Sequence, residues 1–276
     1  MDLALTKDGI ANILLGNGDG TFQTPISTGE FALSVAITDM NLDGFPDLVA
    51  TEQSAGILLG NGDGTFGPVT HYGVSNIFAS LLVEVGYLDR DVYPDVIVQG
   101  GDSSLGIALG RPDGTLRAPV IIYGGVVSFT TGDFDGDGNG DLIDAFPLTF
   151  QKGLGDGTFA PPVPVFDIPL AHLTPTDLDG DHQLDFLGVS GEFVFTLLGN
   201  GDGTFQPPQG DIVFNDDLWP VVGDFNNDGN PDVALASLSS NQFLILLGNG
   251  DGTFESANQL PDGLRSGIAG HRRFQR

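Results

Sequence analysis

Four aspartates fall within nine residues at Asp133, Asp135, Asp137 and Asp141, in the stretch GDFDGDGNGDLI that spans 132–143. Two carboxylates about 4 Å apart repel by roughly 4 kcal/mol at an effective dielectric near 20. A folded chain keeps such a group together when a positive charge is shared among its members. The spacing recurs, as DMNLDGFPD at 39–47, YLDRDVYPD at 87–95, DFDGDGNGD at 133–141, DLDGDHQLD at 177–185 and DFNNDGNPD at 224–232. Oxygen-bearing side chains stand at positions 1, 3, 5 and 9 of these loops, and glycine stands at position 6 in three of them. Alternate residues of a tight loop point inward, so the four side chains and a position-7 carbonyl can converge on one hard cation. Calcium takes about six to eight oxygen ligands in flexible geometry, which suits the loop better than the octahedral, water-retaining magnesium ion. No His or Cys occupies a ligand position, which argues against zinc.

Other readings of the spacing fare worse. An EF-hand opens in the same way but needs a bidentate Glu at position 12; here that position holds Ala50, Val98, Asp144, Gly188 or Leu235. Surface turns capped by Asp would account for one or two such loops, but not for five of one spacing.

A second element alternates with the first. LLGNGDGTF stands at 14–22, 58–66, 197–205 and 246–254, with looser copies ALGRPDGTL at 108–116 and KGLGDGTF at 152–159. Its aspartates, Asp19, Asp63, Asp113, Asp156, Asp202 and Asp251, are 44, 50, 43, 46 and 49 residues apart. Between the two motifs lie apolar runs of four to seven residues, rich in Val, Ile, Leu and Phe and bounded by Gly, Pro or Asp. These are strand signals, and no segment between them is long enough for an amphipathic helix. Four strands in a period of about 45 residues describe a propeller blade. The GNGDG turn is then a hairpin in which Gly and Asn supply positive φ. It is not a phosphate loop, because no helix follows and its Asp would repel phosphate. Nor is it a calcium-binding nonapeptide roll, because its copies lie more than forty residues apart. The Phe that follows is expected to wedge between blades. DGTF also resembles the architectural Asp-box turn of sialidase-type propellers, at a different spacing.

The loop D-x-[DN]-x-D-G-x-x-D between two strands, in register with the hairpin turn, resembles the FG-GAP/VCBS repeat of the integrin α-subunit propeller and of many bacterial secreted proteins. The resemblance covers residues 1 to about 262. It implies an all-β fold, a β-propeller of four-stranded antiparallel blades that binds calcium. The implied ligands are Asp39, Asn41, Asp43 and Asp47; Asp133, Asp135, Asp137 and Asp141; Asp177, Asp179, Asp181 and Asp185; and Asp224, Asn226, Asp228 and Asp232. The carbonyls of Phe45, Asn139, Gln183 and Asn230 stand at position 7. The second loop departs, with Tyr87 for the first carboxylate and Val92 for the glycine, leaving Asp89, Asp91 and Asp95. About four good calcium sites and a fifth, weak or empty one are therefore expected. His182 replaces glycine in the fourth loop at a cost in backbone freedom but of no ligand.

One propeller domain over 1–276 is expected, with blades near 1–29, 30–75, 76–124, 125–167, 168–214 and 215–262. MDLAL matches PDVAL at 231–235, so the first blade lacks its innermost strand, and residues 266–270 are expected to supply it from within a closing strand or tail at 263–276. That makes six blades; the rival reading is a piece of a longer, seven-bladed protein, including the propeller of a larger secreted enzyme.

Composition narrows the function. The net charge of −28, with only nine Lys plus Arg, argues against nucleic acid or anionic membrane as partner. Mean hydropathy is slightly positive, so the chain is not a disordered acidic tail. No apolar stretch is long enough for a transmembrane helix, and MDLALTKDGI does not open as a signal peptide. The absence of cysteine excludes disulfides and thiolate metal sites. His71, His172, His182 and His271 occupy unrelated repeat positions and suggest no catalytic constellation. Arg90, Arg111 and Arg117 are too few and too scattered for a sialidase-type site. Paired carboxylates for glycoside hydrolysis abound, but the acidic loops account for 17 of the 37 acidic residues. The expectation is a monomeric, non-catalytic binding or adhesion scaffold for a protein partner, extracellular or at the cell surface. A glycan-binding propeller is the alternative, with Tyr72, Tyr123 and Trp219 as candidate sugar-stacking residues; packing between blades is the competing role for each.

Overall fold

The computed structural model describes residues 3–17, 21–74, 80–123, 125–126, 128–212, 218–237, 242–255 and 258–259. Among these there is no helix; all the regular structure lies in six antiparallel sheets. The first sheet pairs Leu3–Lys7, Ile10–Leu14 and Ile26–Phe31 in that order. The second orders Ser34–Thr38, Asp47–Thr51, Ala55–Leu58 and Thr70–Tyr72; the third Ser80–Gly86, Asp95–Gly100, Ser104–Ala108 and Val120–Tyr123. The fourth orders Phe129–Gly132, Asp141–Ala145, Leu148–Gln151 and Val163–Pro164. The fifth comprises Ala171–Thr176, Asp185–Ser190, Phe193–Leu197 and Gln209–Ile212, and the sixth Leu218–Gly223, Asp232–Ser237, Gln242–Leu246 and Asn258–Gln259. In each four-stranded sheet the acidic loop joins the first two strands, and the GNGDG-type turn follows the third.

The strand after each acidic loop is the apolar one because it is covered on both faces. Every residue of Asp47–Thr51, Asp95–Gly100 and Asp141–Ala145 is buried. The last strand of each sheet is an edge strand, and in the first sheet Ile26–Phe31 alternates half-buried with exposed side chains.

The chain divides into two compact units. One holds the described residues up to Val126 together with Gly155–Gly157; the other holds those from Ser128 to Leu154 and from Thr158 onward. In the first unit, Ala11 and Ile13 of the first sheet pack against Leu48, Ala50 and Leu58 of the second. On the second sheet's other face, Val49 and Ile57 meet Val83, Val96 and Val98 of the third. In the other unit, Ile143, Leu148 and Phe150 of the fourth sheet meet Leu173, Phe186 and Leu197 of the fifth. Leu187, Val189 and Val194 of the fifth meet Val233, Leu235, Leu244 and Leu246 of the sixth. Each of these buried Val, Leu, Ile and Phe side chains contributes about 1.5–3 kcal/mol, and each sheet depends on its neighbour for a covered face. The closing strand expected at 266–270 lies outside the described residues, as do Asp2 and Asp19 of the sequence motifs.

Candidate metal centre

Each acidic loop is a series of Asx turns, in which an aspartate or asparagine oxygen accepts the N–H two residues on. The position-3 oxygens of Asn41, Asp89, Asp135, Asp179 and Asn226 accept the N–H of Asp43, Asp91, Asp137, Asp181 and Asp228 at 2.9–3.2 Å. The position-5 carboxylates repeat the move onto Phe45, Tyr93, Asn139, Gln183 and Asn230 at 2.8–2.9 Å. At position 1, Asp39, Asp133 and Asp224 each span the N–H groups of positions 5 and 6, at 2.8–3.1 Å. Wrapping the backbone this tightly requires positive φ at position 6 (Gly44 +90°, Gly138 +85°, Gly229 +93°) and also at position 4. Gly136 and Gly180 meet the second demand without strain, whereas Leu42 (φ +59°) and Asn227 (φ +61°) adopt the left-handed region as L residues. His182 does the same at position 6 of the fourth loop (φ +70°).

The ninth-position aspartates differ from the rest. Asp47, Asp95, Asp141, Asp185 and Asp232 are fully buried. One oxygen of each accepts the N–H of loop position 2 (Met40, Leu88, Phe134, Leu178, Phe225) at 2.6–2.9 Å. The other accepts the N–H of the glycine that opens the hairpin turn (Gly60, Gly110, Gly153, Gly199, Gly248) at 2.7–2.8 Å. A Cβ on any of these five glycines would lie 2.1–2.4 Å from the carbonyl oxygen at loop position 8. The two motifs recur in register because each loop is bolted to its own hairpin.

The donors present fit a hard divalent cation. Asp133, Asp135 and Asp141 each bring one carboxylate oxygen to within 4.8 Å of the other two, and Asp177, Asp179 and Asp185 do the same. The loops at 39–47 and 224–232 share the turn geometry, with the Asn41 and Asn226 oxygens at position 3. In the second loop Tyr87 is exposed, and the Arg117 guanidinium forks onto Asp89 and Asp91 at 3.2 Å each. In the third, Lys152 Nζ lies against Asp135 and Asp137.

The model of the FG-GAP-like repeat matches at residues 1–50, 39–98, 87–143, 177–235 and 224–271, most of the chain. The chain belongs to the FG-GAP-like repeat family. Among solved structures it is similar to a lectin of Agrocybe aegerita that recognises non-reducing terminal N-acetylglucosamine, at 20% identity, TM-score 0.67, covering 94% of this chain and 79% of that one. It is also similar to the V. cholerae biofilm matrix protein Bap1, at 16% identity and TM-score 0.41, over 82% of this chain and 38% of that one. No curated protein matches. The fold class expected from the repeat, an all-β propeller of antiparallel sheets, is thus shown, with five four-stranded sheets and one three-stranded sheet among the described residues.

Other features of the FG-GAP repeats fall into place. The GNGDGTF turn closes on itself: Asn61, Asn200 and Asn249 donate from Nδ2 to the threonine hydroxyl four residues on at 2.8–2.9 Å. Of the Phe residues that follow the turn, Phe205 wedges between sheets, meeting Phe134 and Phe186 edge-on with ring centroids 5.8 and 5.0 Å apart, whereas Phe22 is exposed. Of the candidate sugar-stacking residues, Tyr72 packs against the core between the second and third sheets. Trp219 stacks on His172 with ring centroids 3.7 Å apart, and the side chain of Tyr123 lies outside the described residues.

One constellation was invisible in the sequence. Ser54 Oγ lies 3.1 Å from His71 Nδ1, and His71 Nε2 lies 3.6 Å from Glu30 Oε1. The ring faces the serine with the nitrogen that a catalytic triad gives to its acid. The Glu30 contact is too long for a hydrogen bond, and the imidazole is half-exposed. The arrangement reads as a polar surface cluster.

The buried latches make stability depend on pH. Burial outweighs their backbone hydrogen bonds and pushes Asp95, Asp141 and Asp185 up to about 6, and Asp47 up from its ordinary 3.8. A carboxyl whose folded pKa is raised is penalised when ionised, so the metal-free fold gains stability as pH falls from about 7 to the unfolded value near 4. Asp63, Asp113, Asp202 and Asp251 are held low by Thr hydroxyl and N–H donors, and their contribution is lost as pH falls through their folded pKa, below about 4. Protein stripped of divalent ions should therefore melt highest near pH 4–5. A melting temperature that only declines between pH 7 and 5 would contradict this.

Proposed function

We propose that this FG-GAP-repeat propeller is a non-catalytic binding module, extracellular or at the cell surface, held together by calcium and presenting its surface to a protein partner. The observation that carries the reading is the common build of the loops. Oxygen donors at positions 1, 3 and 9 come within 4.8 Å of one another in the 133–141 and 177–185 loops. The other loops repeat the same Asx turns, and a buried aspartate at position 9 secures each loop to the sheet. The aspartates and asparagines of the 39–47, 133–141, 177–185 and 224–232 loops would hold the ion, with the carbonyls of Phe45, Asn139, Gln183 and Asn230. Calcium supplies positive charge and a common ligation point for groups that otherwise repel. The chain's own part is to prearrange the donors through its Asx turns, keep position 9 dry, and carry the loop's rigidity into the strands. Millimolar extracellular calcium matches the affinity of extracellular calcium modules, roughly 0.1–1 mM. With so much of the acidic complement engaged in architecture, and the Glu30–His71 contact at 3.6 Å too long for the hydrogen bond of a triad, the described residues offer little support for catalysis.

A glycan ligand is the second reading. It is favoured by the fold shared with the Agrocybe aegerita lectin and by the half-buried Trp219–His172 pair, an aromatic surface of the kind sugars stack on. A glycan array probed in millimolar calcium separates the two. The protein-partner reading expects no glycan bound above background. A defined glycan retained by the protein and lost on Trp219→Ala would move the conclusion to a lectin. Hydrolysis of an ester or glycoside that disappears on His71→Ala would overturn the non-catalytic assignment.

A further inference from the structure

Among the described residues, Arg117 and Lys152 reach into acidic loops, and each comes from the hairpin of its own sheet. Arg117 follows the third sheet's turn and bridges Asp89 and Asp91. Lys152 precedes the fourth sheet's turn, and its ammonium lies between Asp135 and Asp137. The Asp135 side chain is about nine-tenths buried there. The five hairpin positions equivalent to Lys152 hold Leu15, Leu59, Leu109, Leu198 and Leu247. Four of those leucines pack under a glycine of a GDG turn: Leu15 under Gly64, Leu59 under Gly114, Leu109 under Gly157 and Leu198 under Gly252. Beneath Gly203, where Lys152 would have to serve, the ring of Phe150 fills the space instead. The lysine is thus freed from packing by a compensating phenylalanine two residues away, and its charge is turned into the loop.

We propose that Arg117 and Lys152 are tethered counter-ions that stand in for calcium in the loops at 87–95 and 133–141, so that the protein takes calcium first at 39–47, 177–185 and 224–232. The inference rests on the calcium reading given above. In the second loop the replacement is permanent. Tyr87 supplies no carboxylate, and neither Arg90 nor Val92 takes the positive φ that positions 4 and 6 adopt elsewhere. In the third loop all four carboxylates are present, so calcium and the ammonium compete for one place. A lysine ammonium is charged throughout the neutral range. An ion that binds only when the lysine has swung out sees its affinity reduced by the fraction of time the loop is open. With the lysine engaged nine-tenths of the time or more, that is about tenfold or more. Of the two loops with four carboxylates, 133–141 and 177–185, the first is then the weaker site.

Equilibrium dialysis at stepped free calcium, from about 10 μM to 5 mM to bracket the range of extracellular modules, counts the ions. Wild type should approach three in the range where Lys152→Gln approaches four, the extra ion entering at about tenfold or more lower calcium than in wild type. Lys152→Arg, which keeps the charge, should behave as wild type; Arg117→Gln should gain no ion, for want of a carboxylate at Tyr87. Melting temperatures in chelator confirm that each variant is folded. Equal counts and affinities in wild type and Lys152→Gln, with calcium bound elsewhere, overturn this inference alone. Calcium bound to none of the proteins removes the calcium reading and this inference with it.

Discussion

Asp185→Ala is expected to destabilise the protein by about 2–5 kcal/mol, even without calcium, lowering the melting temperature by roughly 5–15 °C. The variant removes both acceptors of the latch and leaves the N–H groups of Leu178 and Gly199 buried without a partner. Each such orphan costs about 1–3 kcal/mol. Relief of a charge that burial penalises offsets part of this, which keeps the net effect below the largest values for core variants. Gly199→Ala attacks the same joint from the other side. Its Cβ would sit 2.4 Å from the Leu184 carbonyl oxygen, backbone that cannot rotate away, so the hairpin must back off and stretch the bond to Asp185. Overpacking of this kind costs about 1–3 kcal/mol. Because both variants break one joint, their combination should cost clearly less than the sum. Asp181→Ala, exposed in the same loop, should change metal-free stability by no more than about 0.5 kcal/mol. Strict additivity of the pair, or an Asp185→Ala effect as small as that of Asp181→Ala, would mean that the latch does not hold loop and hairpin together.

The repeating parts of this architecture were legible in the sequence because they are local. Apolar runs of strand length, glycines at position 6 and oxygens at alternate positions declare a strand, a tight loop and a strand within a dozen residues. Position 4 is a second place that needs positive φ, and the residue types Gly136, Gly180 and Asn227 announce it, whereas Leu42 does not. What the sequence withheld depends on segments that approach only after folding. The hairpin glycine meets the position-9 aspartate 12–16 residues away, and co-recurrence of the two motifs was the only trace of that bond. Lys152 and Arg117 looked like scattered basic residues because they enter their loops from 17 and 26 residues away. Ser54, His71 and Glu30 come from separate turns and strands, with no shared repeat position to mark them. The expected count of four good calcium loops weighed carboxylates alone; the structure places Arg117 and Lys152 against the aspartates of two of the five loops.

Calcium removal should produce an effect as large as any substitution, because it acts on several loops at once. An ion present at ten times its dissociation constant stabilises each site by about 1.4 kcal/mol. Three loops together then add about 4 kcal/mol, a substantial share of a domain's stability. The loops carry this into the fold through their latches: without the ion, clustered carboxylates repel beside a buried charge, and the strain falls on the strands that begin at Asp47, Asp185 and Asp232. The most direct test is a melting curve of the purified protein at pH 7.5 in millimolar calcium, then in excess EGTA, then with calcium or magnesium restored. The account predicts a fall of roughly 10 °C in EGTA, recovered fully by calcium and poorly by magnesium. A melting curve that does not move in EGTA would contradict the claim that these loops are built around a calcium ion.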